Sequence, residues 1–515
     1  MNNFMENLKR TLGEDFNESV TENGAVGYRT SGKELLDLNF AVSSLRNETP
    51  ERIKQRFAKA FFENKLLAIK WLFFAGDVRG GLGERRLFRI GMEYLAEHET
   101  ETANKLLKLI PEYTRWDNLV VLLDTSLCDN VVTIIKEQLN NDMYQMRHKN
   151  AISLCAKWMP SANASSKETR RLAKLLIRRI GITERQYRKM LTALRSYTNI
   201  VEVKMSNHEW SDIDYSAVPS RANLIYNNAF LRNDEQRRRE YLGKLGKGET
   251  KINAGVLFPH DIVHRYIAGS GWSISVKSFD TALEQMWKAL PDYVKGNGNT
   301  ICVADGSASM RSPIRGASVS ALSVANAIAI YFAERSAGKF KNKYITFSEH
   351  PQLVDFSSCE TLRDKIATAL LHDECTNTNI EAVFDLILQT AINGYMKQSD
   401  MPKNILILSD MEFDSCVRTN GRGYSYFSPD EKLFITFAKR YAEHGYQLPR
   451  LVFWNIMSRT GSIPVKENEL GVALVSGFSP AVVNMVLSNC VDPYECLLEQ
   501  LNSERYAPVE AAIKA

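Results

Sequence analysis

Oxygen-bearing side chains recur at alternating positions directly after an apolar run in the stretch ICVADGSAS. There Asp305, Ser307 and Ser309 follow the apolar residues. Asp410 follows a second apolar run, NILILS, and Thr378 lies in TNTNIEAVF, just before a predicted helix. Two carboxylates, three hydroxyls and water are hard oxygen ligands that suit an octahedral cation. The sequence therefore predicts a site for Mg²⁺ or Mn²⁺, with one coordination position left for a partner.

Two alternatives compete with a metal site at these residues. In the first, Ser307 and Ser309 only cap the helix predicted to begin near 316, and Asp410 caps another turn. In the second, the chain is a phosphatase of the haloacid dehalogenase kind, which also places an aspartate after its first strand. That enzyme needs a second carboxylate at position 307, where a serine stands. Because no nucleophile has an adjacent base, and neutral hydroxyls make a metal a poor activator of water, we expect a binding protein and not an enzyme.

The second part of the chain alternates short apolar runs with helical stretches. The predicted strands are 301–305, 343–347, 404–409, 450–456 and 470–476, and the predicted helices lie near 316–337, 360–371, 380–395, 430–444 and 479–489. Continuous apolar strands separated by helices are typical of a doubly wound, mostly parallel sheet with both faces covered. Such a Rossmann-like α/β fold binds ligands at the carboxyl ends of its strands, which is where the predicted metal ligands lie.

The first part of the chain is predicted to be almost entirely helical. Apolar residues return every three or four positions, which predicts helices that include 34–46, 51–76, 167–180 and 184–196. Paired helices with short connectors indicate a HEAT-like α-helical repeat, although no clean internal sequence repeat is present. Gly and Asn interrupt this pattern in PDYVKGNGN, so we place the main boundary there. The predicted parts are an N-terminal arm (1–33), a helical repeat domain (34–295), the α/β domain (296–492) and a C-terminal helical tail (493–515).

Composition and charge limit the classes of protein to consider. The 515 residues are 44% hydrophobic and 24% charged, which is typical of globular chains of two or three domains. The eight cysteines form no CxxC pair, so we expect free thiols in a reducing compartment. No apolar run is long enough to span a bilayer, and the start of the chain has acids where a signal peptide needs apolar residues. We expect a cytoplasmic protein that does not enter a membrane.

The positive charge is concentrated in the first part. The net charge of +5 divides into +9 for residues 1–300 and −4 for residues 301–515, and residues 147–195 hold 13 Lys and Arg against two acids. Spacings of three or four put several of these cations on one helix face, and such a face binds a phosphate backbone without reading sequence. The alternative is an ordinary solvated surface. The predicted RNA-binding residues are Lys167, Arg170, Arg171, Lys174, Arg178, Arg185, Arg188 and Lys189, and Arg195 would continue the strip.

Other candidate motifs are interpreted as structural. The glycines of RGGLGER would make a turn between helices, because the Lys-Ser/Thr ending of a phosphate-binding loop is missing. His260 and His264 have the spacing of a zinc site but lack the accompanying glutamate, so a core or surface pair is expected. Asp117, with Trp116, and Trp158 are interpreted as packing residues with local hydrogen bonds.

The ordered set DGSAS, Thr378 and Asp410 resembles the metal-ion-dependent adhesion site of von Willebrand factor A (vWA) domains. In the first part, RGGLGERRLF, RWDNLVVLL and ISLCAKWMPSANASSKETRRLAKLL resemble the TROVE-type helical module of Ro autoantigen relatives. The whole chain more closely resembles an uncharacterised TROVE-like family with a C-terminal vWA domain, found in phages, bacteria and plants. In Ro relatives the helical repeats form a ring that the vWA domain closes, and the ring binds misfolded and small noncoding RNAs.

Two functions follow as expectations. The first is a non-enzymatic protein that binds single-stranded, misfolded or small noncoding RNA and carries a Mg²⁺ or Mn²⁺ site. The alternative is a phage virion or assembly component whose metal site grips a carboxylate of a partner protein.

Overall fold

The computed structural model of the chain describes residues 18–20, 26–198, 200–270, 273–294, 299–314, 319–374, 376, 378–411, 416–417, 425–426, 431–458, 472–479, 485 and 492–514. The chain forms two compact units that are interleaved in sequence. The sheet unit comprises Met1–Glu48, Phe258–Phe279 and Asp292–Gln500, and the helical unit comprises Thr49–Leu257, Asp280–Pro291 and Leu501–Ala515. Among the described residues, no helix is both long and apolar enough to cross a membrane.

The first part of the chain is mostly helical, as expected. In chain order its helices are α1 Glu34–Phe40, α2 Val42–Leu45, α3 Pro50–Glu63, α4 Lys65–Gly76, α5 Arg85–His98, α6 Thr100–Leu106, α7 Ile110–Tyr113, α8 Asp117–Val120, α9 Cys128–Arg147, α10 Cys155–Trp158, α11 Lys167–Ile180, α12 Glu184–Tyr197, α13 Val201–Ser206, α14 Ser220–Asn233, α15 Glu235–Gly246, α16 Pro259–Tyr266 and α17 Thr281–Lys288. Two short hairpins also occur here, β1 Glu18–Val20 with β2 Val26–Tyr28, and β3 Ile267–Ser270 with β4 Ser273–Val276.

The second part alternates strands and helices. The strands are β5 Thr300–Asp305, β6 Lys343–Phe347, β7 Leu353–Asp355, β8 Asn404–Ser409, β9 Cys416–Val417, β10 Ser425–Tyr426, β11 Arg450–Asn455 and β12 Val472–Ser476. The helices are α18 Ala321–Arg335, α19 Leu362–Leu371, α20 Ile380–Asn393, α21 Glu431–Glu443, α22 Pro493–Leu501 and α23 Ala507–Lys514. The expected strands are all present, whereas most of the helix predicted over 479–489 lies outside the described residues.

The main sheet has six strands in the order β12-β11-β8-β5-β6-β7. Its first five strands are parallel, and β7 joins the edge antiparallel to β6. Every residue of β5 is buried, as is typical of a strand inside a mostly parallel sheet. The chain leaves β5 toward β6 on one side and later returns to β8 on the other. The carboxyl ends of β5 and β8 therefore flank the topological switch point of the sheet.

One departure from the expected helices and one expected turn have local causes. The single helix predicted over 51–76 is two helices, because Asn64 adopts an extended conformation and its side chain accepts a hydrogen bond from the Leu67 amide, which starts α4. The glycines of RGGLGER do form the turn between α4 and α5. In that turn Leu82 N and Glu84 N donate to the carbonyls of Phe74 and Ala75, which closes the end of α4.

The chain does not divide at one point near 295, where we placed the boundary. Residues 34–48, expected in the helical domain, lie in the sheet unit, because Asn455 Nδ2 donates to Phe40 O (3.0 Å) and Ser43 N donates to Ser476 Oγ (3.2 Å). The last residues of the chain belong to the helical unit instead of forming a separate tail. There Arg505 pairs with Asp77, and Lys70 pairs with Glu510 at 2.6 Å. Most of the arm 1–33 lies outside the described residues.

Candidate metal centre and nucleic-acid interface

The sheet brings Asp305 and Asp410 to the same edge. Asp305 is the last residue of β5, and Asp410 directly follows β8, the parallel neighbour of β5. Both side chains are almost inaccessible, with 2% and 1% of their surface exposed. Because parallel neighbouring strands end at the same edge of a sheet, the two carboxylates share one crevice at the switch point.

The loop after β5 turns its oxygens toward each other. Asp305 Oδ1 accepts a hydrogen bond from Ser307 N (2.9 Å), and the hydroxyls of Ser307 and Ser309 lie 3.0 Å apart. Ser309 lies in a short 3-10 turn, Ala308–Arg311, and not in a following α-helix. The α-helix that follows, α18, is capped by Ser320 instead. The helix-capping alternative for Ser307 and Ser309 is therefore wrong.

Burial and the neighbouring charge of Asp410 raise the pKa of the Asp305 carboxyl well above its usual range. Hydrogen bonds from the Ser409 side chain and from the backbone and side chain of Ser307 oppose this shift but do not cancel it. Two carboxylates enclosed this closely repel each other unless a proton or a cation lies between them. This electrostatic frustration is the property that a divalent cation would relieve.

The oxygen-bearing side chains at the ends of β5 and β8 suit a hard cation, whereas the predicted ligand Thr378 comes from a separate segment. Among the described residues, no group of three or more His, Cys, Asp or Glu side chains could hold a metal. A metal here would therefore depend on hydroxyl oxygens in addition to the two carboxylates. Thr378 is 7% exposed and lies two residues before α20, whose first turn is capped by Asn379. The residues present suit Mg²⁺ or Mn²⁺, which favour oxygen ligands and retain water.

Ser409 belongs to this site, although the sequence did not single it out. Its hydroxyl donates to Asp305 Oδ2 (2.7 Å) and accepts from Met411 N (3.0 Å), and it is fully buried. Met411 adopts a positive φ of 64°, which a non-glycine residue rarely does, so the turn after β8 is locally strained. The available signal was its position beside Asp410 at the end of a predicted strand.

A second acid, Asp373, lies against the same loop and was also missed. A Cβ placed on Gly306 would lie 3.4 Å from Asp373 Oδ1. Burial raises the pKa of Asp373 to about 7, and nearby Arg311 only partly opposes the shift. Three buried polar atoms around it have no hydrogen-bond partner among the described residues: Asp373 Oδ2, Asn326 Nδ2 and Tyr344 OH. Buried polar groups of this kind are the ones that ordered water satisfies in proteins.

The predicted basic residues lie on α11 and α12, which form a helical hairpin. Ser166 caps α11, Gly181 ends it with a left-handed conformation, and Thr183 and Gln186 form a capping box for α12. Each helix buries one apolar face, which includes Leu176 and Leu191. Opposite those faces six cations are exposed and form no ion pair among the described residues. This exposed basic face consists of Lys167, Lys174, Arg178, Arg185, Arg188 and Lys189.

The other predicted cations are already engaged by the protein. Arg171 binds Asp124 (Nη1 to Oδ1, 2.9 Å) and Glu168 (2.6 Å), and these carboxylates raise its pKa further. Arg170 donates to the carbonyls of the loop before α11. Arg195 donates to the Ala156 and Met159 carbonyls and to Ser161 Oγ. The strip is therefore narrower than predicted, because residues distant in sequence neutralise or cover part of it.

A shallow groove of about 230 Å³ runs beside α12. It is lined by Ser161, Ala162, Asn163, Tyr187, Arg188, Leu191, Thr192 and Arg195. Arg188 is its exposed cation, and hydroxyl and amide groups supply hydrogen-bonding partners. The groove and the exposed basic face therefore meet at Arg188.

Fold and geometry define a two-unit protein: a helical unit with an exposed basic face, and an α/β unit whose sheet carries an oxygen-rich crevice at its switch point. Residues 125–300 match the model of a domain of unknown function, DUF2828, and residues 299–509 match that of another, DUF7788.

The chain is 31% identical, over an alignment of 533 residues, to the uncharacterised protein L728 of Acanthamoeba polyphaga mimivirus. The alignment covers 96% of this chain and 89% of L728. The chain belongs to the L728 family. Among solved structures it is similar to the crystal structure of the Deinococcus radiodurans Ro (RSR) protein, with 12% identity, coverage of 85% of this chain and 93% of that one, and a TM-score of 0.41. That score is too low to establish a shared fold.

Proposed function

We propose that the protein is a non-enzymatic RNA-binding protein that holds single-stranded RNA on the exposed basic face of α11 and α12. The observation that carries the proposal is the set of six exposed cations with no ion pair among the described residues. Cations that no carboxylate neutralises release counterions when they meet a phosphate backbone, and that release drives sequence-independent binding. The resemblance of the sequence motifs to TROVE-type modules supports the same choice of ligand.

Exposed cations repeated along two consecutive helices suit an extended single strand. A strand lying along them exposes its phosphates to the lysines and arginines, while its bases remain free to contact the groove beside Arg188. Because all six cations end flexible side chains that contact phosphates and not base edges, we expect little sequence preference from them.

Cross-linking tests where the RNA lies. RNA carrying a photoreactive uridine is bound to the full-length protein, irradiated and digested, and the linked peptides are identified by mass spectrometry. The proposal requires linked peptides from residues 167–197. A variant in which Arg188 and Lys189 are both changed to Glu should lose those links, whereas Arg239→Glu on α15, an exposed cation that pairs with Glu235, should keep them. Links confined to other segments would contradict the proposal.

A second function is favoured by the crevice at the switch point. We propose that Asp305, Ser307, Ser309, Thr378 and Asp410 hold Mg²⁺ or Mn²⁺ in a vWA-type domain, which would follow a TROVE-like helical repeat. A divalent ion with mostly neutral ligands keeps positive charge and favours a carboxylate from a partner. The ion would supply that electrostatic contact, while Ser409 and the Ser307 amide keep the Asp305 carboxylate oriented.

Calorimetry tests the metal proposal without reference to RNA. Mg²⁺ and Mn²⁺ are titrated into chelator-treated wild type and Asp305→Ala. The wild type should bind one ion and the variant none, with RNA affinity nearly unchanged. Equal and negligible heats for both proteins, under conditions that resolve millimolar affinity, would remove the metal assignment.

A further inference from the structure

Three arginines of the helical unit converge on the carboxylate of Asp117, a residue interpreted from the sequence as a packing residue with local hydrogen bonds. Asp117 Oδ2 accepts hydrogen bonds from all three guanidinium groups, at 2.6 Å from Arg85, 3.0 Å from Arg89 and 2.9 Å from Arg115. Three positive charges therefore face one negative charge. The nearest further acid on α5, Glu93, forms no ion pair among the described residues. This group, the arginine cluster of Arg85, Arg89 and Arg115, keeps an excess of positive charge.

The cluster also has hydrogen-bond donors with no acceptor. Arg85 Nε and Asn118 Nδ2 are buried and have no hydrogen-bond partner among the described residues. Asn118 is only 1% exposed, and its own oxygen is fixed by Arg89 Nε at 2.7 Å, so its amide hydrogens are held in one direction. A buried donor without a partner is unfavourable, and native structures explain nearly every such group by water or a ligand.

The site is open enough for a small anion to enter. The side chains of Arg85, Arg89 and Arg115 are 37%, 29% and 29% exposed. Burial, together with repulsion from the other two arginines, lowers the pKa of Arg85 to about 10, although Asp117 opposes that shift. Arg85 is therefore still charged at neutral pH, and an incoming anion would relieve the repulsion among the three guanidinium groups.

The arginine cluster borders the basic hairpin. The Arg115 guanidinium stacks on the Trp158 ring, 3.9 Å from its centroid, and Trp158 ends α10, whose Ala156 carbonyl accepts from Arg195 of α12. On the other side, Asp124, which binds Arg171 of α11, lies in the turn that follows α8, whose first residue is Asp117. The arginine cluster is therefore connected to α12 through α10, and to α11 through the turn that holds Asp124.

We propose that the arginine cluster and the Asn118 amide form a binding site for a phosphate group. A phosphate offers several acceptor oxygens around one centre, which matches forked guanidinium donors approaching from α5 and from the loop before α8 better than the two coplanar oxygens of a carboxylate do. Each guanidinium has five N–H donors, and most of them remain unused by Asp117 and Asn118. The inference rests on the proposed function only in naming RNA as one source of the phosphate, the other being a free phosphate.

The first experiment uses inorganic phosphate alone. Thermal unfolding of the full chain is followed in millimolar phosphate and in acetate of equal ionic strength, for wild type, Arg85→Gln and Arg86→Gln. Arg86 is exposed on the same turn of α5 and serves as the matched control. Phosphate should raise the Tm of wild type and Arg86→Gln but not that of Arg85→Gln. The phosphate affinity of Arg85→Gln should be about tenfold or more below that of wild type. Because general salting effects act on all three proteins, only the difference between variants reports binding.

A second variant distinguishes a lost phosphate site from a misfolded protein. Arg85→Lys keeps the charge and the pairing with Asp117 but lacks the planar fork, so it should show a smaller phosphate effect than wild type while unfolding normally. No phosphate-specific rise in wild type, or an equal rise in wild type and Arg85→Gln, would overturn the site. Protection by acetate as strong as that by phosphate would overturn the choice of phosphate.

Oligonucleotides then identify the source of the phosphate. Single-stranded RNAs with a 5′-phosphate or a 5′-hydroxyl are titrated into wild type and Arg85→Gln. Equal weakening for both RNAs assigns the site to a backbone phosphodiester, and weakening only of the phosphorylated RNA assigns it to a terminal phosphate. If Arg85→Gln binds both RNAs as tightly as wild type does, while wild type binds inorganic phosphate, the site is assigned to a free phosphate. If wild type binds phosphate but no RNA, the proposed function fails and the anion site stands.

Discussion

Removing the unpaired cations of α11 and α12 should change how RNA binding depends on salt. The change is a quadruple substitution of Lys174, Arg178, Arg188 and Lys189 to Gln. All four side chains are exposed, so each substitution should alter the free energy of unfolding by less than about 0.5 kcal/mol. The four residues lie opposite the buried faces of their helices, so the hairpin itself should be unaffected.

The expected magnitude follows from counterion release. Each phosphate contact contributes about −0.7 to the slope of log K against log salt for a single strand, so four lost contacts make the slope shallower by up to about 2.8. Over a fourfold rise in salt, such as about 50 to 200 mM, wild type should therefore lose up to about 50-fold more affinity than the variant. Fluorescence anisotropy with a labelled single-stranded RNA, repeated at several salt concentrations, measures both slopes.

A charge-neutral control isolates the role of unpaired cations. The double substitution Asp124→Asn with Arg171→Gln removes an existing ion pair from the same surface and leaves the net charge unchanged. Its slope should stay within about 0.7, one contact, of the wild-type slope. The reasoning would be refuted by a quadruple variant whose slope equals that of wild type, or by a double variant whose slope falls as far as that of the quadruple variant.

Three further predictions, two of them with a matched control substitution, are tested by equilibrium or thermal unfolding. Asp77→Asn breaks the ion pair of a buried carboxylate with Arg505 and should lower the free energy of unfolding by about 3 kcal/mol. Lys514→Ala, which removes an exposed ion pair, should lower it by less than about 0.5 kcal/mol. Similar urea midpoints for the two variants would contradict this. Gly81→Ala puts a Cβ 1.9 Å from the Phe74 carbonyl oxygen and should strongly destabilise the protein or prevent folding. Gly243→Ala, whose Cβ has nothing within 4 Å, should raise the free energy of unfolding by about 0.5–1 kcal/mol. A higher Tm for Gly81→Ala than for Gly243→Ala would show that the turn between α4 and α5 is not tightly packed. The folded-state pKa of Asp373 is about 7 and its reference value is 3.8, so its contribution to wild-type stability should fall as pH rises between these values, by at most about 1.4 kcal/mol per unit. Asp373→Asn should show a shallower decline than wild type, because Asp305, whose pKa is also raised, still contributes to it. Parallel pH profiles of the two proteins would contradict this.

Local patterns determined which segments became strands and helices. The apolar runs before Asp305 and Asp410 became β5 and β8, since both runs are short and a continuous apolar sequence of that length is typical of a buried parallel strand. The bounds of α11 and α12 were equally readable, because Ser166 and Thr183 cap their starts and Gly181 ends the first helix. Placing both carboxylates at one sheet edge needed only the general rule for parallel sheets.

Pairings across long sequence separations were decided by the tertiary structure alone. Arg171 meets Asp124 across 47 residues, and Arg85 meets Asp117 across 32, so no local spacing distinguishes an occupied cation from an exposed one. The interleaving of the two units was unpredictable for the same reason. The apolar pattern of residues 34–48 shows that the segment is buried, but it does not show whether the sheet unit or the helical unit buries it. Periodicity records that a side chain is buried or exposed within its own helix, whereas the partner that buries or neutralises it is set by how distant segments pack.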